Sequence, residues 1–242
     1  MTKQNMIARL LGLLTSGGAF TAHLAVAADS ITDLGLLPGG SYSYASAIST
    51  DGNHVVGDAD DANAGNVQRA FLRNTGGTIA SLGALNGGSW SLANGVSGNG
   101  GIVVGTAIDG NVAPVIQPDG ATLYAVRAFR WTLDSGMVSL GVLNNGSASK
   151  ATAISSDGEV IVGSATDGLL GDQEYAVRWT STNPIASLGP LNGGNYSAAF
   201  AVSANGSVIV GRATDASAGG KLRAFRWTLA DGMQSLDTLN NG

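Results

Sequence analysis

A motif of the form Ser-Leu-Gly-x-Leu-Asn-x-Gly recurs along this chain and constrains its fold more than any other feature. It occurs at Ser81–Gly88, Ser139–Gly146 and Ser187–Gly194, with altered copies at Asp33–Gly40 and Ser235–Gly242. The first leucines of the five copies are Leu34, Leu82, Leu140, Leu188 and Leu236. Their successive spacings are 48, 58, 48 and 48 residues. A fixed period of this length indicates a stacked or radial repeat.

Each unit between two copies of the motif carries the pattern of four short strands. Two apolar runs are joined by an Asx-Gly pair, which predicts a hairpin whose two turn residues both take positive φ. These pairs are Asp51-Gly52, Asn99-Gly100, Asp157-Gly158 and Asn205-Gly206. A third strand and a fourth strand follow, and the fourth runs into the next copy of the motif. The predicted units are residues 36–83, 84–141, 142–189 and 190–237.

This content predicts an all-β fold, a propeller-like array of about four four-stranded antiparallel units. A β-solenoid is the alternative, although solenoid coils are usually shorter and are not paired by Asx-Gly hairpins. The strand count is uneven, because Ile31–Leu34 reads as a fourth strand without its three partners and the chain stops inside the motif at Gly242. We therefore expect either the N-terminal part of a longer array, a truncated copy of one, or a tightly closed ring of four. Open ends would favour self-association.

The first 28 residues have the features of a secretory signal peptide. Lys3 and Arg9 precede an apolar stretch that ends in the small-x-small pattern Ala25-Val26-Ala27. Such a segment is removed on export. The domains are then residues 1–28, the signal peptide, and 29–242, the repeat domain. We expect an extracellular or cell-surface protein, or alternatively a periplasmic one.

The rest of the composition limits the partners. No segment after residue 28 has the ~20 apolar residues of a membrane-spanning helix, so we do not expect a membrane-embedded protein. The formal net charge is −5, which provides no basic footprint for nucleic acid. The chain has no cysteine, so disulfides cannot stabilise it.

The third strands carry the features of a known family. The relevant triplets are Arg69-Ala70-Phe71, Arg127-Ala128-Phe129, Tyr175-Ala176-Val177 and Arg223-Ala224-Phe225. With the preceding aliphatic-Val-Gly and the following Ser-Leu-Gly-x-Leu, the units resemble the bacterial "HAF" extracellular repeat, named for His-Ala-Phe. None of the four triplets keeps the histidine, and the third also departs at its last position. The resemblance implies a surface protein, in some cases the passenger part of an autotransporter, and no settled activity.

Candidate catalytic groups are few. After the signal peptide the only histidine is His54, beside Val55 in a predicted strand. A Ser-His-Asp triad would have to use it; the alternative is a half-exposed strand residue. One histidine without cysteine also excludes the usual zinc sites. We expect no catalytic residues and no bound cofactor, with Ca²⁺ as the one open exception.

That exception rests on four aspartates at the same position of each repeat. They are Asp61, Asp109, Asp167 and Asp215. Equivalent loops of neighbouring blades lie on one rim, and carboxylate oxygens suit Ca²⁺. The alternative is that each aspartate caps its own turn by accepting hydrogen bonds from nearby backbone N–H groups.

An aromatic and a basic residue also recur together. The pairs are Arg130-Trp131, Arg178-Trp179 and Arg226-Trp227. One interpretation is a ring that binds a carbohydrate or peptide. The other is a tryptophan packed between blades, with the arginine on the opposite side of the strand.

Together these features predict a secreted or cell-surface, non-catalytic binding or display module. Its partner would be an unidentified surface protein or glycan. The single break in the period, an insertion around Ala113–Leu123, is a candidate contact, since insertions in repeat proteins often map to the binding face. The alternatives are a structural spacer, a truncated autotransporter passenger and, third, a hydrolase on a propeller scaffold.

Overall fold

The computed structural model describes residues 32–236 and 238, which form β-strands joined by short turns. Four antiparallel sheets of four strands follow one another along the chain, and we call them blades 1 to 4. The predicted all-β class is therefore confirmed. The predicted signal peptide, residues 1–28, lies outside the described residues, as does most of the last motif after Leu236.

Each blade lies within one of the four predicted units. Blade 1 contains β1 (Ser43–Ile48), β2 (His54–Asp61), β3 (Val67–Asn74) and β4 (Ile79–Ser81). Blade 2 contains β5 (Ser91–Val96) and β6 (Val103–Ile108), a separate hairpin of β7 (Val115–Ile116) and β8 (Thr122–Leu123), and then β9 (Val126–Thr132) and β10 (Gly136–Ser139). Blade 3 contains β11 (Ser149–Ile154), β12 (Val160–Asp167), β13 (Gln173–Thr180) and β14 (Ala186–Ser187). Blade 4 contains β15 (Ser197–Val202), β16 (Ile209–Asp215), β17 (Lys221–Thr228) and β18 (Gly232–Ser235). Four 3-10 turns span Ala62–Ala64, Leu85–Gly87, Gly168–Leu170 and Ala216–Ala218.

The four predicted hairpins are confirmed as the pairs β1–β2, β5–β6, β11–β12 and β15–β16. The predicted turn geometry is wrong in one respect, because only the glycine takes positive φ. In blade 1 this is Gly52, with φ 73°, while Asp51 stays outside that region. The turn is wider than two residues, since the Gly52 N–H donates to the Ser49 carbonyl and the Ser49 N–H to the His54 carbonyl.

The segment predicted as a strand before the first repeat is not one: residues 32–36 are irregular. A fourth strand pairs with the third strand of its own blade, as β4 does with β3. No third strand precedes this segment in the described residues, so this kind of strand pairing is absent there.

The hydrophobic core lies between blades. One cluster joins Val104 and Ala128 of blade 2 to Ile161, Val177 and Trp179 of blade 3. Comparable clusters join blade 1 to blade 2 and blade 3 to blade 4. The first strands contact one another in succession, β1 with β5, β5 with β11 and β11 with β15. A sheet of four strands cannot bury both faces alone, so each blade depends on its neighbours.

A buried serine at the start of the first strand connects each blade to the one before it. Ser149 is 1% exposed; its hydroxyl accepts from the Ala128 N–H at 3.0 Å and donates to the Gly141 carbonyl at 2.6 Å. Ser91 and Ser197 make the same two bonds at the other interfaces. In every case the amide belongs to the alanine of the third-strand triplet, and the serine hydroxyl is the acceptor for this buried N–H.

Candidate functional site

The two ends of the blades differ in the backbone hydrogen bonds that connect neighbouring blades. We call the end with the first-to-second strand turns the turn rim, and the opposite end, with the second-to-third strand loops, the loop rim. On the turn rim the Gly98 N–H donates to the Ser156 carbonyl at 2.8 Å, and the Ser156 N–H donates to the Ala204 carbonyl at 3.0 Å. The Asp51 N–H donates in the same way to Gly98 at 3.3 Å. These bonds tie successive blades together through backbone groups.

His54 lies on the turn rim in a cluster with a serine and an aspartate. The Ser49 hydroxyl donates to Asp51 Oδ1 at 2.5 Å. His54 Nδ1 lies 3.4 Å from Ser49 Oγ and 3.5 Å from Asp51 Oδ1. In a catalytic triad the imidazole stands between the two, using both nitrogens. Here the serine bonds directly to the aspartate, and both lie near the same imidazole nitrogen, Nδ1. The histidine therefore does not stand between them, as it must in order to activate a serine nucleophile.

The same serine-to-Asx bond recurs in the other three turns, where no histidine is present. It joins Ser97 to Asn99 at 2.9 Å, Ser155 to Asp157 at 2.5 Å and Ser203 to Asn205 at 2.8 Å. The cluster at His54 is therefore one example of a repeated turn cap. In blade 1 the Ser49 hydroxyl and then the Asn53 N–H lower the pKa of Asp51 to about 2.

The four aspartates proposed for Ca²⁺ are buried at the loop rim, where each caps the turn that follows it. Each carboxylate accepts from the backbone N–H two residues later, at 2.9–3.0 Å. The residues concerned are Asp61, Asp109, Asp167 and Asp215. Three of them also accept from an asparagine side chain of the preceding motif, for example Asn86 Nδ2 to Asp109 at 2.7 Å.

These contacts favour the capping interpretation. At Asp215 the Ser217 hydroxyl, followed by the Asn192 amide, lowers the pKa of the carboxyl group. Within the described residues, no group of three or more His, Cys, Asp and Glu side chains could hold a metal ion. A calcium site at Asp61, Asp109, Asp167 and Asp215 stays a prediction.

The recurring tryptophans pack between blades, which confirms the structural interpretation of the Arg-Trp pairs. Trp179 is 2% exposed and donates its Nε1–H to the Leu140 carbonyl of blade 2 at 3.0 Å. Arg178, on the other side of the strand, lies 5.0 Å above the ring of Trp227 in blade 4. Blade 3 thus contacts blade 2 through its tryptophan and blade 4 through its arginine. Side chains buried in this way do not form a ligand-binding ring.

An open cavity of about 390 Å³ lies between blades 2 and 3. Its lining includes Arg130, Glu159, Trp179 and Pro184. It combines one guanidinium and one carboxylate with mostly apolar surface. Trp179 is only 2% exposed, so within this lining it offers almost no aromatic surface on which a sugar could stack.

The insertion around Ala113–Leu123 forms the separate hairpin β7–β8 at the loop rim of blade 2, and it exposes apolar side chains. Val115 pairs with Leu123 and Ile116 with Thr122. Val115 is 59% exposed, Ile116 65%, Leu123 56% and Tyr124 52%. Sequence reasoning located this element but treated it as a loop, because each strand has only two residues.

The sheets and their packing define a class, the β-propeller-type repeat proteins. TolB from Acinetobacter baumannii is similar in structure, with a TM-score of 0.53 and 15% sequence identity over 82% of this chain and 45% of that one. A TolB-type protein from Agrobacterium tumefaciens has a TM-score of 0.50 and 19% identity over 78% of this chain and 63% of that one.

This likeness establishes the propeller fold and nothing about activity, since both identities are low and the chain spans less than two thirds of either protein. No family model and no curated protein matches this chain. Among the residues that the structure describes, no helix is long and apolar enough to cross a membrane.

Proposed function

We propose that this protein is an exported, non-catalytic binding or display module and that the hairpin β7–β8 is its contact element. The observation that carries the proposal is the group of exposed apolar side chains on this hairpin. Isolated apolar residues on a surface need no explanation, but a contiguous group marks an interaction site. The hairpin is also the only insertion in an otherwise even repeat.

The absence of a catalytic role is part of the proposal. It is supported by the arrangement of Ser49, Asp51 and His54, which matches the turn caps of the other blades. Export is supported by the sequence features of residues 1–28 and by the resemblance of the repeats to extracellular ones. The partner is a surface protein or a glycan.

The test compares binding of the wild-type protein with that of a loop-graft variant. Residues 110–126 are replaced by the corresponding residues 62–68 of blade 1, which removes the hairpin and keeps the capping aspartate. Both proteins are applied to glycan arrays and to arrays of peptides from exported proteins. We expect at least one wild-type signal that the graft abolishes, while far-UV circular dichroism shows that the blades remain folded.

A point variant and a matched control locate the contact. Ile116→Ser should weaken the same signal, whereas Leu133→Ser should not, although Leu133 is 85% exposed in another turn of blade 2. Undiminished binding by the graft would contradict the role of the hairpin. A wild-type protein that binds nothing on either array would favour the structural spacer instead.

A further inference from the structure

Blade 4 presents a face that is covered on every other blade. The valine of the second strand is completely buried in blades 1 to 3, as Val56, Val104 and Val162, but Val210 is 37% exposed. The alanine of the third-strand triplet is likewise completely buried in the first three blades, whereas Ala224 is exposed. Phe200 and Leu222 on this blade are 49% and 53% exposed.

The three internal interfaces show what covers such a face. The first strand of the following blade brings a serine whose hydroxyl accepts from the triplet alanine. Its third strand brings a tryptophan, as in the stacking of Arg178 on Trp227. At two of the three interfaces its backbone also accepts from a side chain of the covered blade: Asn94 donates to the Ala151 carbonyl at 2.7 Å, and Thr152 donates to the Ala199 carbonyl at 2.8 Å.

Blade 4 keeps the alanine and the arginine of this set, whereas Phe200 stands at the position of Asn94 and Thr152 and has no group to donate. The Ala224 carbonyl accepts from the Leu236 N–H at 2.9 Å, just as the Ala176 carbonyl accepts from Leu188 at 2.8 Å. The peptide groups of the two alanines therefore have the same orientation within their strands. Arg226 occupies the position of Arg178 and is exposed.

We propose that this face of blade 4 is a docking surface for a further four-stranded unit of the same repeat type, with serine opening its first strand and tryptophan in its third. This inference is independent of the hairpin and its proposed role. The argument is continuity, since the bond from the triplet alanine to the serine of the following blade is present at all three internal interfaces, and the fourth face keeps the alanine, Ala224.

Blade 1 of a second copy fits this surface less well. The tryptophan position of the repeat is Arg73 in blade 1, so docking would bring Arg73 towards Arg226. Two guanidinium groups at an apolar interface repel each other and lose hydration. Arg73 Nε is already buried without a hydrogen-bond partner. The matching partner is a unit like blades 2 to 4.

The test adds such a unit to this chain. Residues 195–236 are appended directly after Gly242, which preserves the 48-residue spacing from Gly194 to Gly242. The chain contains no cysteine, so Val210→Cys supplies a unique thiol on the proposed surface. We expect the added unit to slow thiol modification at least about tenfold, because reaction would then require local opening of the interface.

Two controls make the result specific. In one, the appended unit carries alanine for its first-strand serine and arginine for its tryptophan, and we expect the thiol to react as fast as without an extension. In the other, the thiol is placed by Leu229→Cys in an outer turn that is 75% exposed, and no extension should change its rate.

Three results would overturn the proposal. The added unit could fold, as judged by circular dichroism, and leave the reaction at Val210→Cys unchanged. It could fail to fold, although the same residues fold as blade 4 when they pack on blade 3. The unextended protein could already protect the thiol and sediment as a dimer, which would assign the face to a second copy.

Discussion

The serine that connects consecutive blades allows a direct test of how the array is stabilised. Ser149→Ala removes the hydroxyl that bonds to Ala128 and Gly141. The Ala128 amide is completely buried, and a buried donor without a partner costs about 1–3 kcal/mol. The Gly141 carbonyl lies at the surface, where water can replace the lost bond, so it adds about 0.5–1 kcal/mol at most. We expect a total loss of about 1.5–4 kcal/mol in the free energy of unfolding.

Ser43 provides the matched control, because it occupies the same repeat position in blade 1. Its hydroxyl donates to the Gly35 carbonyl at 2.9 Å, and no alanine amide of a preceding blade bonds to it in the described residues. Ser43→Ala should therefore cost only about 0.5–1 kcal/mol. The comparison separates the connection between blades from the intrinsic preference for serine over alanine at the start of a strand.

The assay is urea unfolding followed by tryptophan fluorescence and circular dichroism. With an m-value of about 2 kcal/mol/M, the Ser149→Ala midpoint should fall by about 0.75–2 M of urea. That is a large share of the roughly 5–15 kcal/mol that stabilises a typical domain. Equal shifts for Ser149→Ala and Ser43→Ala would refute the reasoning, since the bond to the preceding blade would then contribute nothing.

Three further predictions concern other parts of the fold. The folded-state pKa of Asp51, about 2, lies below its unfolded value of about 3.9, so its stabilising effect is present above pH 4 and is lost as the pH falls towards 2. Ser49→Ala should reduce that acid sensitivity in thermal melts at pH 2–5. Gly163→Ala should lower the free energy of unfolding, measured by urea unfolding, by about 1–3 kcal/mol or more. The reason is that the added Cβ would lie 1.9 Å from the Lys150 carbonyl oxygen. Trp179→Phe should lower the free energy of unfolding by about 0.5–1.5 kcal/mol, because the half-buried Leu140 carbonyl loses its indole donor; unchanged stability would contradict that bond.

The sequence predicted much of the architecture because its signals are local and repeated. An Asx-Gly pair between two apolar runs specifies a hairpin in a few residues, and the spacing of the Ser-Leu-Gly-x-Leu-Asn-x-Gly motif gives the period. The burial of Trp179 also followed from alternation along a strand. The positive φ expected at Asp51 was wrong, because the Ser49 side chain holds a wider turn in which glycine alone needs that conformation.

The contacts between blades could not be predicted in the same way. A serine lies nine residues after the first leucine of each unit, yet serine is common and its partner is the backbone of a different unit. The signal that could have found it is the position itself: Ser43, Ser91, Ser149 and Ser197 are all invariant in the repeat while their neighbours change. The exposure of Val210 depends on what lies beside blade 4, and the repeat pattern assigns that valine to the core.

The difference between the two rims explains where this scaffold tolerates variation. On the turn rim, backbone bonds such as that from Gly98 to Ser156 link one blade to the next, so an insertion there would break an interface. On the loop rim, a capping residue such as Asp109 forms its hydrogen bonds within its own unit, so the loop that follows it can be longer. Blade 2 carries its extra hairpin on that rim without disturbing the adjoining strands β6 and β9, which remain paired. A stack of this kind can therefore change its surface at the loop rim while the backbone bonds between its blades on the turn rim stay the same.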